Sequence, residues 1–147
     1  MTSLTIQAGD APKIYAFLSD IYGEVLSIPV DDIETFKYSV FRVVSGARIP
    51  VDGFVDIDLP PVCYHEEAAP YPDTIVGLST AEIEKGYNVE VFPYTLDSET
   101  NEWRSPFTNP GSQYQLVVTL RYAMQDPALA GTGYINKTFS VRINVGA

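Results

Sequence analysis

Cysteine, histidine and clustered positive charge are what this 147-residue chain has little of. It carries one Cys (Cys63), one His (His65) and nine Lys or Arg against nineteen Asp or Glu. A lone cysteine excludes an intramolecular disulfide and leaves the redox compartment open. One histidine and one thiol are poor material for acid–base or nucleophilic work, so no catalytic residue is assigned and enzymatic activity is not expected. No segment clusters Lys and Arg as phosphate neutralisation requires, which argues against nucleic acid as a partner. No window of about 18 apolar residues occurs, so a transmembrane helix is excluded and no membrane partner is expected. The opening residues carry Asp10 with neither a basic n-region nor a continuous apolar stretch behind it, and do not read as a secretory signal.

What is present is a foldable composition. Nearly half the residues are apolar, with ten Tyr and seven Phe, too hydrophobic for a disordered chain. A chain of this length buries roughly 70% of its unfolded surface without staples, and one domain over residues 1–147 is the expectation. The net charge of −10 is read as solubility through self-repulsion.

Three segments alternate apolar and polar residues: Tyr87 to Tyr94, Tyr114 to Tyr122 and Tyr134 to Val145. A period of two packs one strand face and wets the other. Leu4 and Ile6 alternate with Thr5 and Gln7 ahead of a turn at Ala8-Gly9-Asp10. Ile14, Ala16 and Leu18 share one face, with Tyr15 and Phe17 on the other. From Thr35 to Val44, Phe36, Tyr38 and Val40 share a face until Ser45-Gly46 ends the run. Between Asp52 and Pro72 four prolines confine any strand to an edge, expected near Val62 to His65. Ser79-Thr80-Ala81-Glu82 reads as a capping box and Gly86 as its stop, giving one short helix. A long connection from Leu96 to Gly111 and a loop holding Asp126-Pro127 and Gly131-Thr132-Gly133 complete the chain. The pattern predicts an all-β, antiparallel sandwich of immunoglobulin-like type, with seven or eight strands and one short helix, but without the Cys, Trp, Cys spacing of antibody domains.

Few residues suggest chemistry. Cys63 and His65 would share a strand face, yet neighbours of that kind rarely orient a thiolate for attack, and the expectation is a buried thiol and an edge imidazole. Asp52, Asp56 and Asp58, with Glu66 and Glu67, form the densest acidic region. They do not follow the EF-hand order, so no metal or other cofactor is assigned. Asn136-Lys137-Thr138 matches a glycosylation sequon inside an expected strand and is read as chance. The remaining anomaly is aromatic: Tyr64, Tyr71, Tyr94, Trp103 and Phe107 fall in or beside proline-containing loops. Flat amphipathic rings there can serve protein recognition or stack on sugars.

The order of features resembles a known class. Ile6-Gln7-Ala8-Gly9-Asp10-Ala11-Pro12 leading into a strand, then Leu18-Ser19-Asp20, Gly23 and Tyr38-Ser39-Val40, resembles the opening of β-sandwich modules in upper baseplate proteins of tailed bacteriophages. Gly86-Tyr87-Asn88-Val89, Pro106-Phe107 and Gly111-Ser112-Gln113-Tyr114-Gln115-Leu116-Val117-Val118 look like the later half of such a module. Baseplate proteins of that kind continue into a stalk, whereas this chain stops at Val145-Gly146-Ala147. In that it resembles small capsid decoration or cement proteins, which clamp neighbouring capsomers and are commonly dimeric or trimeric.

The resemblance implies a non-enzymatic virion component, assembled in the host cytoplasm and oligomeric. Its partner would be the major capsid protein or another virion protein. A tail or baseplate adaptor and a carbohydrate-binding or adhesin module are the alternatives. The expected interaction surface is Tyr64, Tyr71, Tyr94, Trp103 and Phe107, with Leu4 and Ile6 on a possible N-terminal arm over residues 1–7 that adds to a neighbour's sheet.

Overall fold

Alternation becomes burial wherever two sheets face each other. The computed structural model describes residues 2–10, 12–20, 22–71, 79–125 and 132–147. Its strands in chain order are β1 (Thr2–Ile6), β2 (Ile14–Ala16), β3 (Ile33–Val44), β4 (Ala47–Pro50), β5 (Ile57–Asp58) and β6 (Tyr64–Ala69). The helix α1 (Thr80–Lys85) follows, then β7 (Tyr87–Val91), β8 (Thr95–Leu96), β9 (Trp103–Arg104), β10 (Gln113–Gln125) and β11 (Thr132–Val145). A large sheet runs β1-β11-β10-β3-β4, with β5 also on β3; a small sheet runs β2-β7-β6; β8 and β9 form a hairpin. Val40, Leu116, Val118, Leu120, Val141 and Ile143 from the large sheet pack in one cluster with Ile14, Ala16, Val89 and Val91 from the small one. The molecule is an all-β sandwich, as the alternation predicts.

The long central strands follow the expected pattern. β10 pairs antiparallel with β11 on one side and β3 on the other, from Gln113↔Asn144 and Gln113↔Val43 onward. Strand β3 turns into β4 at Ser45 and Gly46, with φ of 51° and 80°, the paired positive angles that a two-residue hairpin needs to match strand twist. The capping box forms: the Ser79 hydroxyl accepts from the Glu82 amide and the Glu82 carboxylate accepts from the Ser79 amide, both at 3.2 Å. Gly86 is required where it stands, because at φ 80° a Cβ would lie 2.4 Å from the carbonyl oxygen of Ala69, inside contact distance.

Three expectations need correcting. Eleven strands lie among the described residues rather than seven or eight, because β4, β5, β8 and β9 span two to four residues each, too short for a period to show. The strand expected from Val62 begins instead at Tyr64, since Pro61–Cys63 is a single 3-10 turn with proline at its start, where a missing amide costs nothing. The N-terminal segment is not a free arm here. β1 pairs parallel with β11 from Thr2↔Val141 to Ile6↔Val145, and Leu4 and Ile6 pack half-buried against the core. That pair also departs from a purely antiparallel sandwich. Of the loop expected at 126–133, residues 126–131 lie outside the described residues, and Thr132 and Gly133 belong to β11. Pro72 also lies outside the described residues.

One polar residue is placed where the alternation has no room for it. Asn88 is fully buried beside the equally buried Val89. Its Oδ1 accepts from the Leu18 amide at 2.7 Å and its Nδ2 donates to the Leu18 carbonyl at 2.9 Å. The carboxamide thus completes β2's pairing with β7, which the backbone carries only from Ile14↔Val91 to Ala16↔Val89. Asn88→Ala would leave both backbone groups of Leu18 without a partner in the interior, at roughly 1–3 kcal/mol each. We expect urea unfolding of that variant to show a loss of about 3 kcal/mol, and Asn88→Asp to lose at least as much because it replaces the donor with a buried charge.

Candidate interaction surface

The outer face of the small sheet gathers side chains from four parts of the chain. β2 contributes Tyr15 and, just before it, Lys13; β7 contributes Tyr87 and Glu90; β6 contributes His65, with Tyr71 two residues beyond its end. Tyr15 lies 4.5 Å from Tyr87 and 5.9 Å from Tyr71 between ring centroids, and Tyr71 lies 5.4 Å from Tyr87. His65 stands edge-on to Tyr87 at 5.9 Å. Tilted and edge-on contacts at these separations are the favourable geometries for ring quadrupoles.

Glu90 is the polar centre of this face. Its side chain is 17% exposed, and its carboxylate pairs with the Lys13 ammonium at 3.2 Å. It also accepts a hydrogen bond from the Tyr87 hydroxyl at 3.0 Å. His65 Nε2 lies 3.6 Å away, too far for a hydrogen bond, and this enclosed nitrogen has no hydrogen-bond partner among the described residues. Burial pushes the Glu90 carboxyl up, but Lys13 and Tyr87 more than offset it and hold the group below its ordinary value. The hydrogen bond to Glu90 raises Lys13 in turn. Burial first, and Glu90 second, push the Tyr87 hydroxyl up to about 12.

From Lys13 the surface continues into the β8–β9 hairpin. The ammonium sits 4.9 Å from the centre of the Phe92 ring, Phe92 meets Tyr94 edge-on at 5.9 Å, and Tyr94 meets Trp103 edge-on at 4.7 Å. The hairpin pairs Thr95 with Arg104 and Leu96 with Trp103, and the Asp97 carboxylate accepts from the Glu99 amide at 2.9 Å to hold its turn. Trp103 at the end of this run is 65% exposed. Tyr71, Tyr15, Tyr87, Lys13, Phe92, Tyr94 and Trp103 therefore form a continuous run of touching groups from the sheet to the hairpin.

The residues singled out in the sequence divide accordingly. Tyr71, Tyr94 and Trp103 belong to this face. Tyr64 and Phe107 do not, because both are buried. The Tyr64 hydroxyl donates to the Leu26 carbonyl and accepts from the Ile28 amide, while Phe107 stands edge-on to Tyr114 at 5.4 Å. Each seals the core below a loop. Cys63 also lies in the core, where burial pushes its thiol up, whereas His65 lies on the outer face; the two form no nucleophile–base pair.

The acidic region does not converge either. Asp58 pairs with Lys37 at 3.9 Å, the Asp56 amide donates to Ser39 Oγ at 2.9 Å, and Glu66 and Glu67 are on the other sheet. Among the described residues no three His, Cys, Asp or Glu are grouped to hold a metal. Sequence reasoning missed Lys13, Tyr15, Tyr87, Glu90 and Phe92 as parts of one surface. The signal for Tyr15 was present in the second apolar face of residues 13–19.

Comparison of the chain with protein-family models, curated protein sequences and solved structures finds no match.

The electrostatics of this face are testable by titration. A hydroxyl raised from 10.0 to about 12 on folding contributes stability that is intact below pH 10 and is lost as pH rises through 12. Spectrophotometric titration should find Tyr87 among the last tyrosines to ionise, alongside Tyr38, which burial also raises to about 12. Tyr87→Phe should remove one late-ionising group and soften the alkaline loss of stability. An unchanged late titration in that variant would contradict the assignment.

Proposed function

We propose that this chain is a non-enzymatic virion structural protein, a capsid decoration or cement protein that binds the assembled shell through the aromatic face of its small sheet. The observation carrying the binding role is the exposed Trp103, backed by Tyr94, Phe92 and the Lys13–Glu90 pair. Rings held in place by their neighbours lose little rotamer freedom on association. Trp and Tyr of this kind dominate the energetics of protein interfaces. The virion context rests on the resemblance of the glycine-led strands to phage sandwich modules, and a tail or baseplate adaptor would use the same face.

The test is co-sedimentation of the purified chain with intact shells, and separately with tails, of the phage that encodes it. Stoichiometric pelleting with shells is the expected result, and Trp103→Ala should weaken it at least tenfold while circular dichroism stays unchanged. Such a loss corresponds to about 1.4 kcal/mol or more, within the range of an interface anchor. Pelleting with tails alone would favour the adaptor. Binding to neither particle would overturn the virion reading.

A carbohydrate-binding module is the second reading. It is favoured by the exposed Trp103 lying along the same run as the polar Lys13 and Glu90, the combination of aromatic ring and hydrogen-bonding groups that sugars require. Retention on a glycan array that is lost in Trp103→Ala would support it.

A further inference from the structure

Charge is segregated between the two sides of this sandwich. The strands of the large sheet hold six of the nine basic residues, Lys37, Arg42, Arg48, Arg121, Lys137 and Arg142, but two of the nineteen acids, Glu34 and Asp58. The strands of the small sheet hold three acids, Glu66, Glu67 and Glu90, and no Lys or Arg, while the other acids lie mostly on connections. Both acids of the large sheet are already matched, Glu34 to Arg121 at 3.2 Å and Asp58 to Lys37 at 3.9 Å. The excess positive charge therefore falls elsewhere on the sheet.

Part of it collects at one place on the outer face. Arg48 stands opposite Val43 on β4, and Arg142 stands opposite Gln115 on β11. With β3 and β10 between them, roughly 14 Å of sheet separates their backbones. Both side chains nevertheless line one depression of about 280 Å³, together with Gln113 and Gln115 and with no acidic residue. Arg48 is held in place by Gln115, whose Oε1 accepts from Nη1 at 3.3 Å, and by the Phe41 ring 4.9 Å from its guanidinium carbon. Arg142 has no ion-pair or hydrogen-bond partner among the described residues. Both arginines are exposed. Two forked donors over a shallow, acid-free depression suit carboxylates.

We propose that this arginine face docks an acidic surface of a second copy of the same chain, head to tail. Charge complementarity selects that occupant, since each copy carries the exposed pair Glu66 and Glu67 on β6 of its small sheet, whose strands hold no Lys or Arg. The net charge of −10 does not forbid the contact: at about 0.15 M salt charges more than about 8 Å apart are screened, so patches in contact decide. Because the two surfaces differ, the interface is heterologous and builds a ring or an open chain. This inference does not rest on the aromatic face or on the virion reading.

Light scattering of the purified full chain over a range of concentrations tests it. At about 0.15 M salt the mass should rise above the 16.2 kDa of one copy, and it should return to that value near 1 M salt, where screening acts within about 3 Å. The double variant Arg48→Glu, Arg142→Glu should stay monomeric, with an apparent dissociation constant at least tenfold weaker. Arg48→Lys, Arg142→Lys should retain most of the association, and Trp103→Ala should retain all of it. A monomer at every concentration would overturn the proposal, as would an oligomer that the charge-reversal variant leaves intact.

Discussion

A single carboxamide in the interior holds the small sheet in register, and much of the outer surface depends on it. The backbone ladder between β2 and β7 is three residues long, shorter than a strand pair that is stable alone. Asn88 extends the ladder by binding both backbone groups of Leu18, while Leu18 itself is buried in the core. A desolvated amide with both ends satisfied is worth more than an exposed one, and a half-satisfied one is costly. The same bond therefore fixes β2, and β2 is where Tyr15 and the preceding Lys13 originate. The position of the aromatic face is set from the inside.

The large sheet needs no such device. β3, β10 and β11 each run for twelve to fourteen residues, and their inner faces put Val40, Leu116, Val118, Leu120, Val141 and Ile143 out of water. Fully burying one side chain of this size is worth about 1.5–3 kcal/mol, so this layer is held by many redundant contacts. Redundancy frees its outer face to vary in chemistry without loss of fold. The small sheet, with fewer contacts, ties its outer residues together by ring contacts and the Lys13–Glu90 pair.

What was legible in the sequence was local. Alternation found β10 and β11, Ser79 and Glu82 found the helix, and Ser45-Gly46 marked the end of β3, because each signal lies within a few residues of the structure it specifies. What was not legible was set by distance along the chain. Whether a loop tyrosine seals the core or faces out depends on what packs beneath it, so Tyr64 and Phe107 read like Tyr71 and Trp103 although their burial is opposite. The parallel pairing of β1 with β11 joins the two ends of the chain, and no local pattern encodes it. Asn88 looked like the wet face of a strand because its partner, Leu18, is seventy residues away.

Charge segregation is the same kind of non-local property, and it gives the module two chemically different outer faces. One is aromatic with a half-buried carboxylate at its centre; the other is polar and basic. In a sandwich these faces belong to different sheets, so they point away from a shared core rather than towards one another. A partner anchored on aromatic rings is held mainly by apolar burial, which salt does not weaken. One held on the arginines is held by charge, which salt does. A domain whose two faces answer to different forces can join two surfaces at once, because loosening one contact leaves the other unaffected. The proposed cement role asks for that property more than for high affinity at either face.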